Sequence, residues 1–329
     1  MNLNGSKVVV TGGAGFIGSH VVDRLVAVGA DVVAVDDLSV GKPENVKDAI
    51  SKGARLVVGS VLDDEVLDAE LPNAALVIHM ACGNLRASLS KPIESHETNA
   101  TGTLKTCLAS VRHNVSRFVY VSSSEAYGSG ETELMDERHR LLPTTVYGAA
   151  KAAGELYAQA CQRRYGIPVI VIRPFNSYGP REHATGDSAE VIPKFASRLL
   201  AGEAPVIFGD GSQTRDFTWV EETAAGIVMA SASDELVGES INIARGENVS
   251  IMEIARDLSD IINPDSGIEP TFDESRPGDV MHHHADTSLA RKILGYQPEV
   301  DIRTGLERYV KWLQAGGLSD TAAESIRNW

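Results

Sequence analysis

A doubly wound parallel α/β sheet with a smaller C-terminal α/β region is the architecture this 329-residue sequence predicts. Three observations predict it. Short β-branched runs alternate with longer helical stretches through the first half, the strand candidates are apolar almost without interruption, and the texture changes after Arg173. Strand-helix alternation implies parallel strands joined by helical crossovers. Strands with hardly a polar residue are those covered on both faces.

The expected strands are residues 7–11, 31–36, 54–58, 75–79, 117–121 and 168–173, and the helical segments between them include 16–28, 97–112 and 146–165. Beyond Arg173, Pro174, Gly179, Pro180, Gly186, Gly209 and Gly211 punctuate shorter elements, with helices expected near 190–200, 221–232, 251–262 and 303–312. The expected division is residues 1–175 for the sheet, with a return near 217–245, and 176–329 for a region packed mainly against the sheet's carboxyl edge.

Composition narrows the function classes. A formal net charge of -15 argues against a general nucleic-acid or anionic-membrane binder, whose surfaces need clustered Lys and Arg. A few local arginines can still hold a small anion. Cys82, Cys107 and Cys161 are too few and too widely spaced for a disulfide framework or a zinc pattern, which fits a reducing cytosol. No metal is expected: the adjacent His282, His283 and His284 project in different directions and lack an acidic ligand motif. No apolar signal core opens the sequence and no apolar run approaches the ~20 residues that span a bilayer, so a cytoplasmic protein is expected.

The segment from Val8 to Gly18 reads strand, glycine turn, helix. Gly12 and Gly15 permit a tight turn and close approach of backbone to a pyrophosphate, and Gly18 lets the helix lie close on the strand. The generic spacing also fits through Gly13. Asp36 closes the next strand where an acidic residue accepts from the adenosine ribose, and a carboxylate there repels a 2′-phosphate, favouring NAD over NADP. The bland alternative is a solvated Asp capping the loop that follows. Tyr147 and Lys151 stand four residues apart on one helix face. A nearby ammonium together with a cofactor cation is expected to favour the phenolate and bring the phenol toward a working range.

These motifs resemble the extended short-chain dehydrogenase/reductase family over nearly the whole chain. The resemblance is carried by Thr11 to Gly18, Asp36-Asp37-Leu38-Ser39, His79-Met80-Ala81, Asn99-Ala100-Thr101-Gly102-Thr103, Val121-Ser122-Ser123-Ser124 and the Tyr147/Lys151 pair. It continues through Arg173 to Pro180, Gln213 to Phe217, and Arg276-Pro277-Gly278-Asp279-Val280. That ordered set is specific to nucleotide-sugar epimerases, dehydratases and decarboxylases, and it implies a Rossmann-type sheet.

The resemblance implies NAD held by Gly12, Gly15, Phe16, Ile17, Gly18, Asp36, Asp37, Leu38, Ser39 and Gly41. Further along it implies Val61, Met80, Ala81, Asn99, Val121, Tyr147, Lys151 and Pro174. Similar chains carry Asp after the glycine that follows the third strand, where it accepts from the adenine amine. Here Ser60 follows Gly59, so Ser60 or Asp63 replaces that Asp or the contact is missing. For catalysis the resemblance implies Tyr147 as the base at a sugar hydroxyl, Lys151 on the nicotinamide ribose and Ser123 on the reacting oxygen, with Glu125 a further candidate. For the nucleoside-diphosphate sugar it implies Ser123, Ser124, Asn176, Val191, Arg215, Arg276 and Asp279. A forked guanidinium suits a diphosphate, although a surface ion pair is the plain alternative for each arginine. Arg86 and Ser88 after the fourth strand, and Arg181, are candidate sugar contacts. A homodimer through the helices at 97–112 and 146–165 is expected by the same resemblance.

The reaction is expected to be 4-epimerisation of a UDP-hexose, UDP-N-acetylhexosamine or UDP-uronate. Many similar dehydratases carry Thr-Asp-Glu where this chain has Ser123-Ser124-Glu125, and Ser124 removes the acid that would protonate a leaving hydroxyl. Arg215-Asp216-Phe217 and Arg276 to Val280 also resemble the epimerase form. Glu125 keeps a 4,6-dehydratase or a UDP-glucuronate decarboxylase open. An alcohol dehydrogenase and a non-catalytic NAD-sensing scaffold remain on the same fold; the intact Ser123, Tyr147 and Lys151 set speaks against the scaffold.

Overall fold

The computed structural model describes residues 1–182, 189–275 and 280–317. Its strands are β1 (Lys7–Thr11), β2 (Asp31–Asp36), β3 (Arg55–Val58), β4 (Leu76–His79), β5 (Arg117–Val121), β6 (Val169–Pro174), β7 (Asn176–Tyr178), β8 (Val206–Phe208), β9 (Thr214–Trp219), β10 (Ser240–Ile243), β11 (Asn248–Ser250) and β12 (Thr271–Asp273). The helices are α1 (Phe16–Ala27), α2 (Lys47–Ser51), α3 (Asp64–Glu70), α4 (Leu85–Ser90), α5 (Pro92–His96), α6 (Gly102–Arg112), α7 (Val146–Tyr165), α8 (Val191–Leu200), α9 (Val220–Ala232), α10 (Ile251–Ile262), α11 (Ser288–Leu294) and α12 (Ile302–Trp312). Among the described residues no helix is long and apolar enough to cross a membrane.

Seven strands form one parallel sheet in the order β3-β2-β1-β4-β5-β6-β10, the Rossmann-type arrangement the sequence predicts. Successive residues of a strand face opposite sides, and both sides are covered. Val8, Val10, Val32, Ala34, Leu76, Ile78, Ile170 and Ile172 pack on one side with Val21, Val22 and Leu25 of α1 and with Ala224 and Ile227 of α9. Val9, Val33, Val35, Val77, Phe118, Val169 and Val171 pack on the other with Leu67 of α3, Cys107 of α6 and Ala158 and Cys161 of α7. This two-sided burial is why the strands read as unbroken apolar runs.

Two elements differ from expectation. Residues 97–112 are not one regular helix, because Glu97–Thr101 forms a π-turn ahead of α6. There Thr103 Oγ1 donates to the Asn99 carbonyl at 2.6 Å. The second is β10, a four-residue segment pairing with β6 that no periodicity marks as a strand. The remaining short strands make a three-stranded sheet, β11-β9-β7, and a two-stranded one, β12-β8. They surround a separate core of Tyr178, Phe195, Trp219, Ile254, Leu258, Leu306 and Tyr309.

Helix α7 begins where Thr145 Oγ1 accepts from Gly148 N at 3.0 Å and ends at left-handed Gly166. Midway along it Glu155 is buried against Arg173 of β6, with guanidinium-carboxylate contacts of 2.6 and 3.0 Å. Ser122 Oγ donates to Glu155 at 2.5 Å, Arg173 Nη1 donates to Tyr127 Oη at 2.8 Å, and Tyr127 Oη donates to Asn242 of β10 at 2.7 Å. Burial by itself lowers the Arg173 pKa, but the hydrogen bonds and charge of Glu155 outweigh it and keep the guanidinium above its ordinary value. Arg173→Met should strand the Glu155 carboxylate in the interior and destabilise the protein by about 3–5 kcal/mol, read as a lower urea midpoint. Replacing both residues by apolar ones of similar size should recover most of that loss; a single variant as stable as wild type would show that the pair carries no such constraint.

Candidate active site

The cleft runs across the carboxyl ends of the strands, where the order turns back between β1 and β4 and parallel sheets hold their ligands. At its floor lie Gly12, Gly15, Phe16, Ile17 and Gly18. Gly12 has φ of 70°, and a Cβ there would stand 2.7 Å from Ala81 N. A Cβ on Gly18 would overlap the Gly12 carbonyl oxygen. Helix α1 opens at Gly15 with no side-chain cap, leaving its first N–H groups for a ligand.

Asp36 lines the cleft at the end of β2. Its carboxylate accepts from Ala14 N and Leu38 N, each at 2.9 Å; burial raises its pKa and these bonds oppose the rise. Asp37, Ser39 and Gly41 line the same wall, with Asp37 Oδ1 accepting from Ser39 N at 2.9 Å. Leu38 turns with φ of 59° and packs into the core. Val61, Met80, Ala81, Val121 and Pro174 also line the cleft. Three expected contacts sit otherwise. Ser60 Oγ accepts from Leu62 N at 3.2 Å and Asp63 caps α3 through Glu65 N at 2.9 Å, so neither forms the cleft wall, which Gly59 and Val61 supply. Asn99 lies one layer back and holds the Gly83 carbonyl through Nδ2 at 3.0 Å. An uncapped helix start, a turn that excludes Cβ atoms and a carboxylate after β2 together fit a dinucleotide.

Ser123, Tyr147 and Lys151 meet at the far side of the cleft. The first turn of α7 closes on the turn Ser124–Ala126 because residue 148 is glycine; a Cβ there would overlap the Glu125 carbonyl oxygen. That approach lets Ser123 hydrogen-bond the Tyr147 phenol. Lys151 is buried, donates to the Val121 carbonyl at 2.7 Å and stands 4.9 Å over the Tyr120 ring. Burial lowers the lysine's pKa, while Cys82 and Glu155 oppose that. The expected acidification of Tyr147 by Lys151 is not what the chain alone produces. Burial first, then Cys82, pushes the phenol well above its ordinary value, and the Ser123 bond only moderates this.

Of the candidate substrate residues, Ser123, Ser124, Asn176 and Val191 line the cleft, as does Glu125. Asn176 Oδ1 is buried there without a partner. Arg215 shares its strand face with Phe217, a cleft residue, and its Nη1 donates to the Thr214 carbonyl at 2.9 Å. Two candidates point elsewhere: Arg181 pairs with Asp23 of α1 at 2.8 Å, and Ser88 Oγ donates to Leu85 O at 2.6 Å within its own helix. Arg86 Nε lies 3.7 Å from Glu190, itself a cleft residue. Arg276 and Asp279 lie outside the described residues. The three histidines diverge: His282 meets Thr214, His283 the Gly128 carbonyl and His284 the Gly246 carbonyl.

Sequence reasoning missed Cys82, Asn84, Glu182, Glu190 and Phe217, all in the cleft wall. Only Asn84 had a usable signal, an Asn opening a short helix directly after the fourth strand. Glu182 is 5% exposed, and burial with Glu190 nearby raises its pKa well above the usual carboxyl range.

The sequence profile of the NAD dependent epimerase/dehydratase family matches residues 8–244. The chain belongs to this family. A UDP-glucose 4-epimerase of Mycolicibacterium smegmatis is 32% identical over 317 residues, covering 94% of this chain and 98% of its own length. The solved UDP-glucose 4-epimerase of Thermotoga maritima, with UDP-glucose, has a TM-score of 0.88 at 33% identity, covering 94% of this chain and 99% of that one. The dTDP-glucose 4,6-dehydratase of Streptomyces venezuelae, solved with NAD bound, reaches 0.90 at 31% identity, covering 96% and 99%. The family's members are NAD-dependent epimerases and dehydratases of nucleotide sugars, and NAD is the cofactor.

Two measurements follow from this wall. A carboxylate at Asp36 in this wall is expected to repel a ribose 2′-phosphate, so NAD+ should bind at least about tenfold tighter than NADP+ by calorimetry. Asp36→Asn should shrink the ratio; equal affinities in the wild type would remove Asp36 from the ribose. An ultraviolet titration, taken as the difference between wild type and Tyr147→Phe, should show the phenol ionising above the ordinary ~10 without cofactor and lower with NAD+ bound, since a cation beside it favours phenolate. No change on NAD+ addition would mean that the cofactor does not tune this tyrosine.

Proposed function

We propose that the protein is an NAD-dependent 4-epimerase of a nucleoside-diphosphate hexose, working through a 4-keto sugar. The observation that carries this reading is a pairing. Ser123, Tyr147 and Lys151 converge on the cleft, while the position beside Ser123, an Asp in many similar dehydratases, is the neutral and buried Ser124.

NAD, when held by the glycine turn and Asp36, would supply the hydride acceptor for the sugar carbon and the donor for its return. Tyr147, once ionised, takes the proton of the C4 hydroxyl, and Ser123 orients that oxygen through the hydroxyl it already turns to the phenol. Lys151 lies beneath the site, anchored on Val121, and is available to the nicotinamide ribose. The diphosphate end is read from α8, whose first residue Val191 lines the cleft and whose N-cap Glu190 makes no side-chain cap bond. Asn176 and Arg215 complete the proposed nucleotide contacts. Ser124 has no acidity with which to expel a C6 hydroxyl, so the ketone is left to turn and be reduced on its other face. The assembly in this reading is a homodimer on α6 and α7, supported by the exposed Leu156 and Tyr157 of α7.

Glu125 favours a second reading, because it also lines the cleft and offers a carboxylate for elimination. That would make the protein a 4,6-dehydratase or a uronate decarboxylase. Incubation with UDP-, dTDP-, GDP- and CDP-sugars, including UDP-glucuronate, separates the two by NMR and mass. A C4-inverted product of unchanged mass is expected, and loss of water or carbon dioxide would reject the epimerase. Tyr147→Phe should lower kcat by roughly 10²–10⁴-fold with NAD still bound; full turnover in that variant would remove Tyr147 from the chemistry.

A further inference from the structure

The turn that follows β7 is fastened to α1. Gly179 and Glu182 close it: Glu182 N donates to the Gly179 carbonyl at 3.3 Å, and Gly179 N donates to Glu182 Oε2 at 3.2 Å. The two residues between them are both held by α1. His20 Nε2 lies 3.0 Å from the Pro180 carbonyl and must be the donor, because a carbonyl only accepts. Asp23 Oδ2 accepts from Arg181 Nη1 at 2.8 Å. Arg181 turns with φ of 69°, a backbone region that costs a residue with a Cβ and persists only where its surroundings hold it.

Both ends of this fastening reach the cleft. On α1, Phe16, His20 and Asp23 follow at spacings of four and three, which puts them on one helix face. Phe16 lines the cleft floor, and its ring meets that of His20 edge-on with centroids 6.3 Å apart. On the other side, Asn176 and Ser177 lead into the turn and Glu182 leaves it, and all three line the cleft. Helix α9 backs the turn: a Cβ on Gly179 would stand 2.8 Å from Val220 Cγ1, and the Thr223 and Ser177 hydroxyls bond at 2.9 Å. His20 is 6% exposed, and burial lowers its pKa although the Pro180 bond opposes this.

We infer that His20 and Asp23 are positioning residues: through Pro180 and Arg181 they fix the wall of Asn176, Ser177 and Glu182 relative to the dinucleotide floor, so that sugar nucleotide and cofactor are held in one register. The inference rests on the nucleoside-diphosphate-sugar reading above and adds what keeps the two halves of that site in step. The floor and the wall are 160 residues apart at the His20–Pro180 bond, so no local structure aligns them. Reacting groups must meet at near contact, and a misplacement of about 1 Å can cost roughly 10²-fold in rate.

The test is calorimetry on the full-length NAD-loaded protein with UDP-glucose, dTDP-glucose and GDP-glucose, the tightest of the three being carried into the variants, beside the NAD+ affinity of each variant. His20→Leu removes the donor at similar size, whereas His20→Gln keeps an Nε2 donor. Arg181→Met cuts the second link from the turn, outside the α1 core, and serves should His20→Leu not fold. His20→Leu and Arg181→Met should each weaken the nucleotide sugar about fivefold or more while NAD+ changes less than about twofold, and His20→Gln should return to within about twofold of wild type. Unchanged nucleotide-sugar affinity in His20→Leu and Arg181→Met, an equal loss for NAD+, or a His20→Gln no better than His20→Leu would overturn the inference. Failure of the nucleotide-sugar reading itself would look different, as a wild type that binds NAD+ but none of the three sugars.

Discussion

The buried Glu155–Arg173 pair is the constraint on which the geometry of the cleft depends. Glu155 is on α7, one turn beyond Lys151 and two beyond Tyr147; Arg173 is on β6; Ser122, bonded to the same carboxylate, directly precedes Ser123. Three pieces of chain that must agree to within a fraction of an ångström at the cleft are thus tied together one layer below it. Two charges taken out of water gain little net stability even when well paired. What they supply is a fixed register between helix and sheet, since any slide of α7 would leave a carboxylate and a guanidinium unmatched. The network runs on through Tyr127 to Asn242 of β10, so the last strand of the sheet is held by the same polar cluster that underlies Ser123, Tyr147 and Lys151.

Much of this was legible in the sequence, and the reasons are specific. The parallel sheet was readable because its strands are buried on both faces, leaving runs such as Val8-Val9-Val10 with no polar interruption. The glycine turn was readable because a Cβ on Gly18 would overlap the Gly12 carbonyl and one on Gly12 would meet the Ala81 backbone. Helix α7 was readable to the residue, having both a Thr145 cap and a Gly166 stop. The π-turn at Glu97–Thr101 was not, because a single inserted residue leaves helical periodicity almost intact. Strand β10 was not, because four residues hold too little pattern.

Side-chain destinations were the harder part. Arg181, Ser88 and Arg86 are residue types that suit a sugar phosphate, yet Asp23, the α4 backbone and Glu190 claim them. Which of several nearby partners a flexible guanidinium takes depends on tertiary placement, and spacing along the chain does not encode it. Ser60 shows a related local bond. Small hydroxyl side chains readily bond a backbone N–H two residues on, and the Leu62 amide was within reach. The phenol of Tyr147 shows the limit of local charge arguments: Lys151 is one helical turn away with one of its N–H groups on the Val121 carbonyl, yet desolvation dominates the phenol.

The late arrival of β10 bears on how the chain matures during synthesis. Its pairing edge on β6 is complete by Pro174, whereas Ser240–Ile243 emerges only after β7, β8, β9 and their helices have been made. Until then β6 presents an open row of backbone donors and acceptors, the kind of edge that recruits other chains. The amino-terminal half alone therefore leaves that edge of the sheet unpaired, and the sheet closes only when the downstream segment supplies Ser240–Ile243.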